Sequence, residues 1–364
     1  MNLNRRQFLI VSGGLCGWQI AVSTHPGLSG GNAASQHLST SIQKSEEELI
    51  PSPVAVAPPG LFAPVRGDTR IVVISDLNSQ YGSTSYESEV KQAITLIPGW
   101  EPDLVLCGGD MIAGQKKSLT KTQIQAMWSA FDINISNPLR HVNIPFGFTI
   151  GNHDGSGIVY QGQYTFASER KLASDYWNKQ TNNPKLNFID QVNFPFYYSF
   201  IQKNIFYLVL DASTHIISSK QLTWIKNSLA SDTAQKARLR IVIGHLPLYP
   251  IAVGRNNLGD FLSNGETLQL VLENYKVHTY ISGHHHAYYP GKKGRLELLY
   301  SGTLGAGPRK LLNDNISPSK TLTVVDIDLH SQTTAYTTYS MKTMKVIDIK
   351  TLPKFIGKVR RKDI

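Results

Sequence analysis

Short apolar runs alternate with longer amphipathic segments along most of this chain. The runs at 70–75, 103–107 and 144–150 are rich in aliphatic and aromatic residues, which is typical of strands. Between them, apolar residues recur at helical spacing near 85–97 and again near 120–131. Strands that alternate with helices predict βαβ units, in which the strands are parallel.

A second set of apolar segments follows in the C-terminal half of the chain. FYYSF and NIFYLVLDA predict adjacent strands, and SKQLTWIKNSLA predicts a helix. Further strands are expected near 239–244, 277–282, 296–301 and 321–328, with more β-like sequence at 332–351. The pattern from residue 70 to about 330 therefore predicts one α/β domain with two packed sheets.

Composition and pattern together divide the chain into four regions. They are a signal segment at 1–34, a linker rich in Pro, Ser, Gly and Ala at 35–68, a globular domain at 69–330, and a C-terminal β extension with a basic tail at 331–364. A solvated tail is favoured over a binding patch for the basic residues after Leu352. Residues 155–196 are polar and aromatic, which predicts either a cap over a neighbouring site or ordinary surface packing.

The first region has the layout of an export signal. Arg5 and Arg6 precede an apolar, Gly-containing stretch, from Phe8 to about Ser23, that is short for a membrane span. The RRQFL arrangement resembles a twin-arginine signal, which implies passage through the export machinery for folded proteins to the periplasm or the exterior. The alternative is a chance pair of arginines before an uncleaved anchor, which would tether the protein to the membrane.

Charge and cysteine content narrow the classes of function. The formal net charge is +10, and a basic surface attracts phosphate-bearing ligands. No run of Lys and Arg with interleaved aromatics indicates nucleic-acid binding, and no segment clearly indicates a membrane-spanning partner. Of the two cysteines, Cys16 lies in the signal region and Cys107 lies in an apolar run. A disulfide framework is therefore excluded, and Cys107 is expected to be buried.

Five polar segments directly follow predicted strands. They are Asp76-Leu77-Asn78, Gly109-Asp110, Gly151-Asn152-His153-Asp154, Gly244-His245 and Gly283-His284-His285-His286. Asp, Asn and His supply the oxygen and imidazole donors that divalent metals use. Because α/β folds build their sites on the loops at one edge of a sheet, these side chains are expected to converge on a two-metal site.

The order of these segments resembles the calcineurin-like metallophosphoesterase family over roughly residues 70–306. The resemblance implies an α/β fold in which two mixed β-sheets pack face to face as a sandwich, with helices on the outside. It also implies two divalent metal ions (Mn, Mg, Fe or Zn), which lower the pKa of a shared water and neutralise phosphoryl oxygens. The implied substrate is a small phosphoester, either a monoester or a diester.

The resemblance further assigns a role to each candidate residue. The first metal would be held by Asp76, Asn78, Asp110 and His286, and the second by Asp110, Asn152, His245 and His284. His153 would face the phosphate and protonate the leaving oxygen or stabilise its charge, and Asp154 would orient His153 by a hydrogen bond. His285 lies between two proposed ligands and is expected to point the other way if it follows a strand end.

One position departs from the family, because Asn78 stands where the family usually has His. An amide oxygen is a harder donor than an imidazole nitrogen, so the first site should be weaker or should prefer Mg²⁺, Mn²⁺ or Ca²⁺ over Zn²⁺. A purple acid phosphatase would have Tyr three residues after Asp110. Here that residue is Ala113, which argues against this subgroup. Arg255 and Arg309 could contact phosphate, but surface arginine is the favoured interpretation for both.

Two functions remain open at the level of sequence. The favoured one is an active metal-dependent phosphoester hydrolase, because all other proposed ligands and the His153-Asp154 pair are present. The alternative is a catalytically weak relative that keeps one metal and acts as a phosphate-ligand binding or structural protein.

Overall fold

The computed structural model describes residues 54–364, which lie within one compact unit. The predicted signal segment at 1–34 and the part of the linker before residue 54 lie outside the described residues. Within the described part, none of the helices has the length and apolar character needed to span a bilayer.

The strands are short, and the predicted apolar runs coincide with ten of them. In chain order they are β1 Thr69–Ile74, β2 Leu104–Cys107, β3 Phe146–Phe148, β4 Val159–Tyr160, β5 Gln163–Tyr164, β6 Asn187–Asn193, β7 Tyr197–Gln202, β8 Ile205–Val209, β9 Leu239–Ile243, β10 Thr279–Ser282, β11 Tyr288–Lys293, β12 Leu296–Ser301, β13 Thr321–Asp328, β14 Thr333–Ser340, β15 Phe355–Ile356 and β16 Val359–Arg361. Strands β4, β5, β6, β11, β15 and β16 were not predicted.

The helices connect these strands on the outside of the sheets. They are α1 Ser88–Leu96, α2 Lys121–Phe131, α3 Asn137–His141, α4 Asn152–Gly155, α5 Ala167–Trp177, α6 Ser219–Ala230, α7 Asp232–Lys236 and α8 Gly265–Asn274, with a π-helical turn at Asp132–Ser136 and 3₁₀ turns at Ile97–Trp100, Gln180–Asn182 and Ile349–Thr351. Helix α2 begins at a capping box, in which Thr120 Oγ1 accepts from Gln123 N and Gln123 Oε1 accepts from Thr120 N.

The strands form two mixed sheets and a small separate hairpin. A five-stranded sheet has the order β14-β13-β1-β2-β3, and a nine-stranded sheet has the order β15-β16-β11-β12-β10-β9-β8-β7-β6, while β4 and β5 pair with each other. The pairs β1-β2 and β2-β3 are parallel, as are β8-β9, β9-β10 and β10-β12. The expected α/β fold is therefore confirmed.

Alternation along β1 shows how the layers pack. Ile71 and Val73 belong to the core shared with the nine-stranded sheet, whereas Val72 and Ile74 belong to the core under α1 and α2. Both faces of this strand are buried, which explains its continuous apolar sequence. On the far side, Ile225 of α6 and Leu268 of α8 pack into the core of the nine-stranded sheet. The sequence of layers is therefore helix, sheet, sheet, helix.

Residues 54–68 belong to this folded unit, so the prediction of a linker up to residue 68 is wrong for this part. Val56 N donates to Pro64 O (3.2 Å) and Arg66 N donates to Val54 O (2.9 Å), which closes a hairpin-like turn. The turn is fixed by Arg70, whose guanidinium donates to the carbonyls of Val56 and Pro64. Composition alone did not show that a buried arginine would need these carbonyls.

The chain after residue 330 completes both sheets, so a boundary at 330/331 does not separate two units. Strand β14 pairs with β13 along its whole length, as the predicted β extension requires. The solvated basic tail is a wrong prediction, because β15 and β16 form a hairpin that pairs with β11. Arg361 is buried there, and its guanidinium donates to Lys350 O (3.1 Å) and Leu352 O (2.5 Å).

Residues 155–196 contribute to the core more than to a cap. Tyr176 and Trp177 on α5 are buried, and the Trp177 ring lies 3.8 Å from the Phe148 ring between their centroids. Arg170 on the same helix lies over the Tyr164 and Phe196 rings and pairs with Asp211 at 2.7 Å. Ordinary packing of aromatic side chains therefore accounts for this helix.

Candidate metal centre

The polar segments lie beside one another because each follows the carboxyl end of a strand in a parallel pair. Asp76, Asp110 and Asn152 follow β1, β2 and β3 of the five-stranded sheet. His245 follows β9, and His284 follows β10, in the nine-stranded sheet. The candidate centre therefore spans the seam between the two sheets, at the edge where α/β folds place their sites.

Two groups of potential ligand atoms share one carboxylate. One group is Asp110, His245 and His284, and the other is Asp76, Asp110 and His286; within each, the ligand atoms all lie within 4.8 Å of one another. Asp110 belongs to both groups, which is the position of a bridging carboxylate. The division agrees with the two ligand sets implied by the family resemblance, although metal binding itself stays a prediction.

Backbone carbonyls orient two of the histidines toward the centre. His245 Nδ1 lies 2.7 Å from Gly108 O, and His286 Nδ1 lies 3.0 Å from Gly307 O, so each Nδ1–H donates to a carbonyl. With Nδ1 held in this way, Nε2 is the ring nitrogen that faces the centre, as is common for histidine ligands. His245 Nε2 lies 3.3 Å from Asp110 Oδ2, and His286 Nε2 lies 3.2 Å from Asp76 Oδ1.

Gln115 supports the centre by a contact with the candidate ligand Asn152. Its Oε1 accepts a hydrogen bond of 2.6 Å from Asn152 Nδ2. The amide of Asn152 is thereby turned so that Oδ1 faces His245 Nε2 at 2.8 Å. Gln115 lies in the loop after Asp110 with a φ of 67°, and no motif marks it in the sequence.

Asn78 is buried, and it belongs to the ligand set of Asp76, Asp110 and His286 that the family resemblance implies. Its Nδ2 donates to Ile112 O (3.2 Å), and its own backbone N–H donates to Asp110 O (3.2 Å). The amide oxygen is the end of the side chain that this bond leaves free. Asn78 thus remains a candidate donor of the harder type that was expected from its sequence position.

Several candidate ligands have a left-handed backbone. Asp76, Asp110, His284 and His286 have φ values of 51°, 55°, 62° and 53°. Such values are uncommon for residues other than Gly and concentrate at functional sites. The preceding segments also require Gly: a Cβ at Gly151 would collide with Asp110 Oδ1, and one at Gly283 would collide with Ser75 Oγ. The glycines of the motifs allow the loops to approach this closely.

His153 is oriented by a carbonyl and not by Asp154, so that part of the prediction is wrong. His153 Nδ1 lies 3.0 Å from Gly114 O, and Nε2 lies 3.9 Å from Asp110 Oδ2. Asp154 instead accepts hydrogen bonds from three backbone N–H groups, those of Met111 (2.7 Å), Ile112 (2.9 Å) and Gly151 (2.8 Å). Asp154 therefore ties the Asp110 loop to the Asn152 loop, because buried N–H groups need acceptors.

The charged groups in the centre shift one another's pKa values. Burial raises the pKa of Asp110, but the neighbouring His245 and His153 outweigh it and hold the pKa below its usual range. Burial lowers the pKa of His245, but Asp110 outweighs it and raises the pKa to about 9. Burial, with the charge of Asp110, raises the pKa of Asp154 to about 7. A carboxylate-rich centre of this kind favours cations.

The residues present fit a metal centre by their chemistry. His284 Nε2 is buried and has no hydrogen-bond partner among the described residues, while His284 Nδ1 lies 3.2 Å from His245 Nε2. Burial, with the charge of His245, keeps the pKa of His284 well below its usual value, so the ring is neutral and can donate to a metal. Buried carboxylates, an amide oxygen and imidazole nitrogens together form a donor set for divalent cations, and a cation at His245 would displace the proton on its Nε2.

Two further residues lie close to the candidate ligands. His285 points away from the centre, as expected, and its ring contacts Ile251 N and Asp260 O. Tyr81 has its ring centroid 5.1 Å from that of His153. The Tyr81 side chain is exposed.

Comparison with known proteins identifies the family. The family model for calcineurin-like phosphoesterases matches residues 69–288, which is more than half of the chain and includes the candidate ligands. No curated protein matches the chain.

Solved structures with the same fold are distant in sequence. A purple acid phosphatase from yellow lupin (Lupinus luteus) seeds is similar with a TM-score of 0.56 and 18% identity, over 77% of this chain and 52% of that chain. The chain thus spans about half the length of the lupin protein. GAP50, the anchor in the inner membrane complex of Plasmodium, is similar with a TM-score of 0.50 and 15% identity, over 81% of this chain and 89% of that chain. At these identities the likeness shows the fold alone.

Proposed function

The chain belongs to the calcineurin-like phosphoesterase family, a family of phosphoester hydrolases, and we propose that it cleaves phosphomonoesters or phosphodiesters at the metal centre described above. The observation that carries this proposal is the position of Asp110, which belongs to both groups of ligand atoms. Asp76, Asn78, Asp110 and His286 would hold one cation, and Asp110, Asn152, His245 and His284 would hold the other. When bound, the two cations would lower the pKa of a shared water and neutralise phosphoryl oxygens.

His153 is the proposed catalytic residue that acts on the leaving group. Because its Nδ1–H donates to Gly114 O, its Nε2 is the nitrogen that faces Asp110. The substrate would bind on this side of the ring. A proton on Nε2 would be passed to the leaving oxygen, or would stabilise its negative charge. Asp154 is a positioning residue in this proposal, since it fixes the backbone on which both Asp110 and Asn152 are carried.

Hydrolysis of an aryl phosphate and an aryl phosphodiester, with Mn²⁺, Mg²⁺ or Zn²⁺ added, tests the proposal together with bound metal per chain. We expect His153→Ala to lower kcat by about 10²–10⁴-fold, with the bound metal unchanged. His141→Ala, at an exposed histidine, is the matched control. The proposal is overturned if no metal supports turnover, or if His153→Ala leaves the rate unchanged.

A weak hydrolase that keeps one metal is the second candidate, and Asn78 is the observation that favours it. Position 78 lacks the imidazole that the family usually has there. Ala113, at the position of the purple acid phosphatase tyrosine, cannot supply a phenolate ligand either. One bound metal per chain, with negligible turnover, would identify a phosphate-ligand binding or structural protein instead.

We also propose that the protein is exported by the machinery for folded proteins and acts in the periplasm or outside the cell. Arg5 and Arg6 before the apolar stretch support this proposal. Fractionation of cells that express the full chain tests it: replacement of both arginines by Lys should leave the protein in the cytoplasm. Unchanged export of that variant would exclude the twin-arginine route.

A further inference from the structure

Arg255 and Arg309 lie beside the candidate metal centre on two segments that pair with each other. Val253 N donates to Lys310 O (2.9 Å), and Ala252 forms an antiparallel bridge with Leu311. Arg309 N donates to the carbonyl of His286, a proposed ligand, at 2.9 Å. A Cβ built on Gly254 would lie 3.2 Å from Arg309 Nη1, so the Arg309 guanidinium lies against the backbone next to Arg255.

The loop that carries Arg255 is held in place by the metal-binding segment itself. His285 Nδ1 accepts from Ile251 N (3.3 Å), and His285 Nε2 donates to Asp260 O (3.0 Å). His285 therefore fixes both ends of the loop relative to His284 and His286.

The two guanidinium groups lack acceptors that they would normally have. The Nε atoms of Arg255 and Arg309 are buried, and neither has a hydrogen-bond partner among the described residues. Asp260 pairs with Arg255 at 3.3 Å, and Arg309 forms no ion pair within residues 54–364. A buried donor without an acceptor is costly, and only one of these two positive charges has a carboxylate partner among the described residues. A contact of both arginines with phosphate, the less favoured interpretation at the level of sequence, would supply the missing acceptors.

We propose that Arg255 and Arg309 form an anion subsite that binds a second phosphoryl group of the substrate. This inference rests on the proposed function of the same centre and defines the substrate class as compounds with two linked phosphoryl groups, such as diphosphates. A guanidinium offers planar paired N–H donors that match phosphate oxygens. One phosphoryl group would lie at the metals, and the next would lie between the two arginines beyond His286.

Kinetics on AMP and ADP, which differ by one phosphoryl group, test the subsite. We expect the wild-type protein to prefer ADP in kcat/KM. Arg309→Gln and Arg255→Gln should each lower the ADP-to-AMP ratio of kcat/KM by about tenfold, the effect of losing one charge-assisted contact. Lys310→Gln is the matched control, since it removes a charge from an exposed neighbouring side chain and should keep the ratio. An equal loss on both substrates would overturn the subsite and leave the proposed function intact.

Binding measurements make the test independent of turnover. Calorimetry with methylenediphosphonate and methylphosphonate, neither of which is hydrolysed, should show tighter binding of the diphosphonate by about tenfold or more. Arg309→Gln should remove this advantage, and Arg309→Lys should restore part of it because the charge returns without the paired donors. Equal affinities of the wild-type protein for both compounds would overturn the subsite even if the protein proves inactive. Absence of turnover on the aryl phosphate, the aryl phosphodiester, AMP and ADP with any metal would overturn the proposed function alone.

Discussion

At the scale of single residues, the centre depends on side chains that orient other side chains. Carbonyls of Gly108, Gly114 and Gly307 fix the rings of His245, His153 and His286. These contacts decide which nitrogen faces the centre, which no sequence motif states. Such outer contacts commonly control metal affinity almost as strongly as the ligands do.

Asn78→His is expected to tighten metal binding at the first site and to shift activity toward Zn²⁺. The reason is that imidazole is a softer donor than an amide oxygen. Titration of the metal-free protein with Zn²⁺ and Mn²⁺ provides the measurement, and Asn187→His at an exposed position is the control. An unchanged metal profile would remove Asn78 from the ligand set.

Gln115→Ala is expected to weaken binding at the second site by about 10–100-fold, because Asn152 loses the partner that orients its amide. Metal titration by calorimetry measures this loss, and Gln163→Ala, at an exposed glutamine, is the control. If Gln115→Ala binds metal as tightly as the wild-type protein, the contact with Asn152 has no role in metal binding.

At the scale of elements, Arg70 on β1 forms an ion pair with Asp326 on β13 and also binds carbonyls within residues 54–68. Arg70 Nε lies 2.8 Å from Asp326 Oδ1 on β13, with the two side chains 0% and 6% exposed. The same guanidinium donates to carbonyls of Val56, Pro64 and Trp100. All its donors thus have acceptors, which is the condition under which a buried charge is tolerated.

Asp326→Asn is expected to destabilise the protein by about 3–5 kcal/mol, because it leaves the Arg70 charge buried without its counterion. Urea unfolding provides the free energy, and Asp175→Asn, from an exposed pair with Lys171, should change it little. A loss as small as that of the control would mean that the carbonyl acceptors alone suffice for Arg70.

At the scale of the whole molecule, the candidate centre joins the two sheets. The oxygen donors Asp76, Asp110 and Asn152 come from the five-stranded sheet, and the imidazoles His245 and His284 come from the nine-stranded sheet. A ligand that binds both sheets favours the folded state, since the unfolded chain does not present these atoms together.

Metal removal is therefore expected to lower the stability of the whole unit. At a metal concentration of about 100 times Kd, the gain in unfolding free energy is about 2.7 kcal/mol. Thermal melts with and without a chelator measure the difference, and Asp110→Asn should lack it because Asp110 serves both ligand groups. An equal metal-dependent shift in Asp110→Asn would place the metal elsewhere.

The sequence by itself determined the strands that carry the candidate ligands, the helices α1, α2 and α6, and the polar residues that follow those strands. Strands such as β1 and β8 can be predicted because strands that are buried on both faces have continuous apolar sequences. The glycines of the motifs can be interpreted because the loops approach each other too closely for a Cβ. The convergence of Asp76, Asp110, Asn152 and His245 followed from the rule that parallel strands present their carboxyl ends at one edge.

Only the tertiary structure decided which partners these residues meet. Asp154 contacts backbone N–H groups rather than His153, Gln115 orients Asn152, and the basic C-terminal segment pairs with β11. Arg255 and Arg309 are brought to the same side of His286 by segments far apart in the chain. The physical reason is that these contacts join loops from different strands, and their geometry depends on packing across the sheets instead of on local spacing.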